Sequence, residues 1–198
     1  MARDYFMVAI TLPDGSVRNF NGPVTGVLLA ADIGPGLAKA ALAIKVDGKL
    51  RDLSHSIEAD ADVEIVTRDH EDALELLRHD AAHIFAEAVQ ELFPGTQITF
   101  GPAIEDGFYY DFFREEPFTP DDFEAMEKRM QKIVDRDEEI IREVWDRDAA
   151  IKYFSDAGET FKAEHIGTIP ADAEISIYRQ GDWLDLCTGP HLPSTGKL

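Results

Sequence analysis

The fold of this 198-residue chain is decided by a helix predicted at residues 71–93, EDALELLRHDAAHIFAEAVQELF. Its apolar residues recur at the spacing of one helix face, and they are Leu76, Leu77, Ala81, Ile84, Ala88 and Leu92. Pro94 and Gly95 follow and end the helix. His79 and His83 are four residues apart, so they project from the same face. The pair is a candidate binding or catalytic site, alongside the plainer interpretation of two structural histidines.

A second histidine pattern lies near the end of the chain, where Cys187 and His191 flank Thr-Gly-Pro. Asp185 precedes Cys187 by two residues and shares its face if both lie in a strand. If the fold joins the two patterns, one cleft holds three imidazoles and a thiol. Three histidines and a cysteine can bind zinc tetrahedrally, and the same groups can perform acid–base chemistry without a metal. The residues alone leave both interpretations open.

The first 67 residues read as a small β-grasp, ubiquitin-like module without any catalytic pattern. The turn PDGS at 13–16 indicates a hairpin, and Thr25 is a suitable N-cap for the helix that follows. In chain order, the predicted elements are strands at 4–12 and 17–20, a helix at 25–33, and strands at 41–46 and 63–66.

The remaining residues predict an α+β domain, in which an antiparallel sheet accompanies a long helix and the helix with two histidines. Thr119 and Asp122 have the spacing of a capping box, which starts the long helix. Lys162 falls within a predicted strand, and the pattern leaves its direction open. The predicted elements are strands at 97–104 and 108–112, helices at 123–144 and 148–154, and strands at 161–166, 175–178 and 183–186.

The net charge of −20 is concentrated in the second part of the chain. Residues 69–198 contain 12 lysines and arginines against 30 acidic residues, whereas residues 1–68 contain seven against nine. This acidity argues against broad nucleic-acid binding, because phosphate contacts need basic residues. No apolar run is long enough for a membrane span, and the N-terminus lacks the pattern of a signal peptide. With a single cysteine, we expect a cytoplasmic protein.

Several motifs resemble the N-terminal half of bacterial threonyl-tRNA synthetases. They are HDAAH at 79–83, GPAIEDGFYYD at 101–111, EKRM at 127–130, GETFK at 158–162 and DLCTGPH at 185–191. The resemblance covers the whole chain and implies a TGS module at 1–67. It further implies an aminoacyl-tRNA editing domain at 68–198, whose C-terminal end we expect to be incomplete.

The resemblance also implies an activity, the hydrolysis of the aminoacyl ester in mischarged seryl-tRNA(Thr). Serine lacks only one methyl group of threonine, and a missing methylene is worth only about 1–3 kcal/mol of discrimination, so a second site must remove serine. The full-length parent would attach threonine to tRNA(Thr) with ATP. We expect no synthetase core in this chain, so ATP and zinc are expected only in the absent core.

By the same resemblance, the catalytic residues of the editing site are expected to be His79, His83, Lys162, Cys187 and His191. Lys162 is the leading candidate to position or deprotonate water, or to stabilise developing negative charge. Asp185 is expected to orient a donor or hold the serine amino group, and Tyr110 to contact the substrate through its hydroxyl. Cys187 is favoured as a wall, since thiolate attack needs a lowered pKa.

No cofactor is expected for this chain, and its expected partner is the serine-bearing acceptor end of tRNA(Thr), with no DNA and no membrane. Two alternatives stay open. The first is a zinc-dependent hydrolase of the alanyl-tRNA synthetase editing type. Its zinc ligands would be His79, His83, Cys187 and His191. The second is a non-catalytic fragment that binds tRNA or another protein.

Overall fold

The computed structural model describes residues 7–198, so the start of the strand predicted at 4–12 lies outside the described residues. The chain divides into two compact units. The first contains the residues up to Leu74 and the segment Gly189–Pro193, and the second contains Glu75–Thr188 and Ser194–Leu198. Among the described residues, no helix combines the length and the apolar character that crossing a membrane requires.

The first unit is built on a five-stranded mixed sheet, whose strands in sheet order are β2 (Val17–Phe20), β1 (Val8–Thr11), β7 (Ala61–Val66), β4 (Ala43–Val46) and β5 (Lys49–Asp52). Strands β1 and β7 are parallel, with Ile10 opposite Ala61, and the other neighbours are antiparallel. This arrangement confirms the predicted β-grasp module. Its elements are β1 (Val8–Thr11), β2 (Val17–Phe20), β3 (Val24–Thr25), α1 (Gly26–Ile33), α2 (Pro35–Ala40), β4 (Ala43–Val46), β5 (Lys49–Asp52), β6 (Ser56–Ile57) and β7 (Ala61–Val66).

Local sequence explains most of this unit. Thr25 caps α1 as predicted, because its side chain accepts a hydrogen bond from the Leu28 N–H at 3.3 Å. The sequence analysis did not predict α2. Its first residue is Pro35, and proline is well suited to the first position of a helix. Strand β5 was missed because its sequence, KLRD, is mostly polar, as suits the edge of a sheet.

The second unit combines helices with small antiparallel sheets. It contains most of the histidine helix, which the structure gives as α3 from Ala73 to Leu92. The other elements are β8 (Gln97–Ile98), β9 (Ala103–Ile104), β10 (Gly107–Phe108), β11 (Phe112–Phe113), α4 (Phe123–Arg136), β12 (Ile140–Trp145), α5 (Arg147–Asp156), α6 (Thr160–Thr168), β13 (Ile175–Gln180) and β14 (Trp183–Leu186), with short 3₁₀ turns at Pro120–Asp122 and Thr195–Lys197.

Two local predictions in this unit are confirmed. The hairpin predicted between residues 97 and 112 pairs at both ends, with Ile98 opposite Phe112 and Ala103 opposite Phe108, but each predicted strand is broken into two short strands. Thr119 and Asp122 form the expected capping box, in which the Asp122 carboxylate accepts from the Thr119 N–H at 2.8 Å.

The single helix predicted over 123–144 is wrong. Helix α4 ends at Arg136, because Asp137 adopts a left-handed conformation with φ of 49°. Ile140 then begins β12, which pairs with β13 along its whole length. The apolar residues from Ile140 to Val144 fit a helical spacing, but they are β-branched, which favours a strand that has a partner.

The strand predicted over 161–166 is also wrong, and this error concerns Lys162. These residues form α6, in which Lys162 and Ile166 are four residues apart and are both fully buried. One face of the helix therefore points into the unit, and Lys162 lies on that face.

An ion cluster joins α3 to α4 and reaches β13. The Arg136 guanidinium donates to the carboxylates of Glu87 at 2.8 Å and Glu91 at 2.7 Å, and Gln180 also donates to Glu87. Glu87 is only 2% exposed. Burial raises its pKa from 4.5 to about 7, and the hydrogen bond from Gln180 and the charge of Arg136 oppose that shift.

This buried carboxyl predicts a pH dependence of stability. The folded state binds the Glu87 proton more tightly than the unfolded chain does, so the free energy of unfolding should fall as pH rises from about 4.5 to about 7. Glu87→Gln should reduce the difference in Tm between pH 5 and pH 7.5. The exposed Glu127→Gln is the control and should leave the difference as it is. An unchanged difference in Glu87→Gln would contradict the assignment.

Candidate active site

Helix α3 and the end of β14 bring the first residues of the site together. The imidazoles of His79 and His83 lie side by side, with ring centroids 4.9 Å apart. His79 Nε2 lies 3.2 Å from Cys187 Sγ, across 108 positions of sequence. The part of the sequence-based site that lies in the second unit therefore assembles as one cluster.

Asp185 is the centre of a buried polar network beside this cluster. It lies in β14, opposite Tyr178 in β13, and it is only 1% exposed. Its Oδ2 accepts a hydrogen bond from the Tyr110 hydroxyl at 2.7 Å and lies 3.4 Å from Nδ1 of His83. Its Oδ1 forms an ion pair with the Lys162 ammonium. One carboxylate thus links three other predicted site residues.

Burial shifts the pKa values of Lys162 and Tyr110. Burial lowers the pKa of the Lys162 ammonium, while the charges of Glu159 and Cys187 oppose the shift. Contact with Asp185 favours the charged form as well. The Lys162 Nζ lies 3.4 Å from the Tyr110 oxygen. Burial raises the pKa of Tyr110, which keeps its hydroxyl protonated as a donor to Asp185.

Glu159 is a member of this neighbourhood that the sequence analysis missed. It precedes Lys162 by three residues, and its carboxylate accepts from the Ile98 N–H at 2.9 Å and from the Gln90 side chain. Gln90 in turn accepts from the Trp183 indole at 2.8 Å. Burial raises the pKa of Glu159. Glu159 and Lys162 are three residues apart, a spacing that places two side chains on one face of a helix. The prediction of a strand over 161–166 made this relation impossible to recognise.

A cavity of about 380 Å³ opens over the cluster. The predicted site residues on its wall are His79, His83, Tyr110, Asp185 and Cys187, and the other lining residues include Phe100, Gly101, Tyr109, His165 and Ser176. Lys162 is fully buried and does not line the cavity. It contacts two residues that do line it, Asp185 and Tyr110. The cavity is large enough for a small ligand.

Gly101 lets the backbone lie directly against the ring of Tyr110. A Cβ added to this glycine would come within 2.1 Å of the tyrosine Cδ2. Any larger residue would therefore displace the ring that holds its hydroxyl on Asp185. The close approach gives a physical reason for the glycine in the GPAIEDGFYYD motif.

The donor set suits a soft divalent metal. The nitrogen and sulfur ligand atoms of His79, His83 and Cys187 lie within 4.8 Å of one another. Imidazole nitrogens and a thiolate are ligands that zinc prefers, and three protein ligands with an open position are typical of catalytic zinc. These residues therefore fit a zinc ion by their chemistry.

His191 belongs to the segment Gly189–Pro193, which groups with the first unit. Its side chain is buried, and its backbone N–H donates to the Asp52 carboxylate at 2.8 Å. Its predicted catalytic or ligand role stays a prediction.

Two domain families match the chain. The TGS domain family matches residues 8–67, and the family described as the threonyl and alanyl tRNA synthetase second additional domain matches residues 175–198. The first match covers the β-grasp sheet, and the second begins at β13 and includes Asp185 and Cys187.

Curated relatives extend the comparison along the chain. The threonine–tRNA ligase of Rhodospirillum rubrum is 67% identical over 192 residues, and that of Thiobacillus denitrificans is 66% identical over 193. Each alignment covers 97% of this chain but only 30% of the relative. The chain therefore corresponds to the N-terminal region, about 30% of the length, of threonine–tRNA ligases, with their TGS domain and their editing-associated domain.

Proposed function

We propose that the second unit hydrolyses the aminoacyl ester of seryl-tRNA(Thr). The observation that carries this proposal is the buried network around Asp185, which joins His83, Tyr110 and Lys162 at the wall of a cavity. Ester hydrolysis needs an activated water, a proton for the leaving oxygen and support for an oxyanion. The relatives are named as threonine–tRNA ligases, and their names give the substrate class that the proposal uses.

His83 is the general base in this proposal. The Asp185 carboxylate lies beside Nδ1, so it favours the tautomer with a proton on Nδ1 and leaves Nε2 to accept a proton from water. Water then attacks the ester carbonyl carbon. The proton taken by His83 passes to the ribose oxygen as the carbon–oxygen bond breaks, which releases serine and tRNA with a free 3′ end.

The remaining residues position these groups. Lys162 is a positioning residue, because its ammonium pairs with Oδ1 of Asp185, the oxygen that does not lie beside His83, and it also contacts Tyr110. His79 and Cys187 form the adjacent wall, and the Tyr110 hydroxyl donates to Oδ2 of Asp185, the oxygen that also lies beside His83. We also propose a catalytic role for His191, on the basis of the CTGPH pattern at 187–191.

The direct test is a deacylation assay with matched seryl-tRNA(Thr) and threonyl-tRNA(Thr). We expect the chain to release serine much faster than buffer alone, and to spare threonine. Serine release no faster than in buffer would favour the non-catalytic alternative, a fragment that only binds tRNA or a protein. The same assay with and without a chelator decides whether the reaction needs a metal.

A zinc-dependent hydrolase is the second candidate, because three ligand atoms of the right chemistry lie together. His79, His83 and Cys187 would hold the ion, which when bound would lower the pKa of water. Zinc that stays at one equivalent through dialysis, together with chelator-sensitive serine release, would favour this candidate. We expect metal-free protein to remain active, since Asp185 and His83 already provide a base.

The proposal extends to the protein from which this region comes. That protein would attach threonine to tRNA(Thr) with ATP in the cytoplasm, and this region would supply its editing. We propose the division into a TGS module at 1–67 and an editing domain at 68–198 on the basis of the family resemblance. The acceptor end of tRNA(Thr) is the proposed partner, with neither DNA nor membrane involved.

A further inference from the structure

Helix α6 presents an aromatic face that the proposed reaction does not use. Phe161, His165 and Ile169 follow one another at four-residue spacing, so they lie along one face of the helix and its C-cap. This face differs from the one that carries Lys162 into the interior. Phe161 is 39% exposed, so its ring is accessible from solvent.

Two aromatic residues from the hairpin pair with this face. Phe113 contacts Phe161 edge to face, with ring centroids 5.5 Å apart, and Phe113 is 54% exposed. Phe100 contacts His165 in the same manner at 4.6 Å, and Phe100 is 43% exposed. We call these four residues, Phe113, Phe161, His165 and Phe100, the aromatic strip.

The aromatic strip begins inside the cavity and continues beyond it. Phe100 and His165 line the cavity that contains the imidazoles of His79 and His83. Phe113 and Phe161 do not line it, and they extend the strip along α6 toward the start of the helix. A ligand longer than the cavity that continues along α6 toward Phe161 would meet these two rings.

We infer that the outer part of the aromatic strip binds the unpaired nucleotides next to the terminal adenosine of the substrate, by stacking of their bases. This inference rests on the proposed function. Proteins that bind single-stranded nucleic acid without sequence preference stack its bases on aromatic side chains, because every base has a π-face, and they commonly combine this stacking with a basic groove.

The continuity of the strip with the cavity indicates the occupant, and charge indicates the mode of binding. Residues 69–198 carry 30 acidic against 12 basic residues, and no lysine or arginine is among the described residues that line the cavity. Phosphate contacts therefore contribute little inside the cavity, and stacking on the strip provides attraction that they would otherwise supply. An acidic peptide would be repelled in the same way, without any base to stack.

The test measures binding of a strand that carries no amino acid, so it does not depend on hydrolysis. A single-stranded oligoribonucleotide with 2-aminopurine next to its terminal adenine is titrated with the whole chain, and base fluorescence reports stacking. Phe161→Leu keeps an apolar side chain of similar volume but loses the flat ring, so we expect its Kd to rise about tenfold. Phe161→Tyr keeps the ring and should bind like the unchanged chain. Phe123→Leu is the matched control, because Phe123 is 55% exposed on α4 and lies outside the strip.

Hydrolysis gives a second readout that separates the two proposals. The ratio of kcat/KM for seryl-tRNA(Thr) to kcat/KM for the seryl ester of adenosine should fall about tenfold in Phe161→Leu. Equal losses on both substrates, or a Kd that matches the Phe123→Leu control, would overturn the stacking role. A chain that quenches the labelled strand through Phe161 but releases no serine would instead overturn the proposed function alone.

Discussion

Replacing Asp185 with asparagine is expected to lower the rate of seryl-tRNA(Thr) deacylation by about 10³-fold, within the range known for acid–base groups and their orienting carboxylates. An amide can donate to Nδ1 of His83, which would leave the proton on Nε2 and remove the acceptor that takes the proton from water. The same change leaves the Lys162 ammonium without its carboxylate. The measurement is single-turnover release of serine.

The split between kcat and KM separates two roles of Asp185. If it orients His83, kcat falls and KM for seryl-tRNA(Thr) changes little. If it chiefly holds the amino group of serine, KM rises instead. Asp182→Asn is the matched control, because Asp182 is an exposed aspartate in the turn just before β14. A loss below threefold in Asp185→Asn would remove the proposed base from the mechanism.

Local patterns predict the parts of this site that depend on one element. The spacing of apolar residues over 71–93 predicts the helix, and the four-residue spacing of His79 and His83 then places both on one face; the structure confirms both. The segment Trp183–Leu186 correctly indicates a short strand leading into Cys187. These features are local, so the period of apolar residues is sufficient to find them.

The contacts that complete the site could not be predicted in this way. The side chains of Gln90 and Glu159 are hydrogen-bonded across 69 positions, and no local period encodes such a pair. The segment around Lys162, FKAEHI, fits strand alternation as well as a helix, since Phe161 and Ala163 alternate with polar residues. Lys162 and Ile166 are buried on the same side of the segment, which favours the helix over a strand. That burial comes from the tertiary fold and not from the local sequence.

Replacing Lys162 with methionine is expected to lower both the stability of the chain and its activity. The ammonium is fully buried against Asp185, so its removal leaves an uncompensated carboxylate in the interior. Breaking one partner of a buried pair costs about 3–5 kcal/mol, which urea denaturation would detect. We expect deacylation to fall at least about a hundredfold, because Asp185 loses the contact that holds it beside His83.

The double variant Lys162→Met with Asp185→Asn separates positioning from folding. Both charges are then absent, so we expect most of the lost stability to return, since an apolar replacement of a buried pair is often neutral. Activity should stay low, because the oriented carboxylate is missing. Lys152→Met is the matched control, as the Lys152 side chain is 75% exposed on α5. If the double variant regained activity together with stability, the Lys162–Asp185 pair would be structural only, and the base at His83 would have to be oriented by another group.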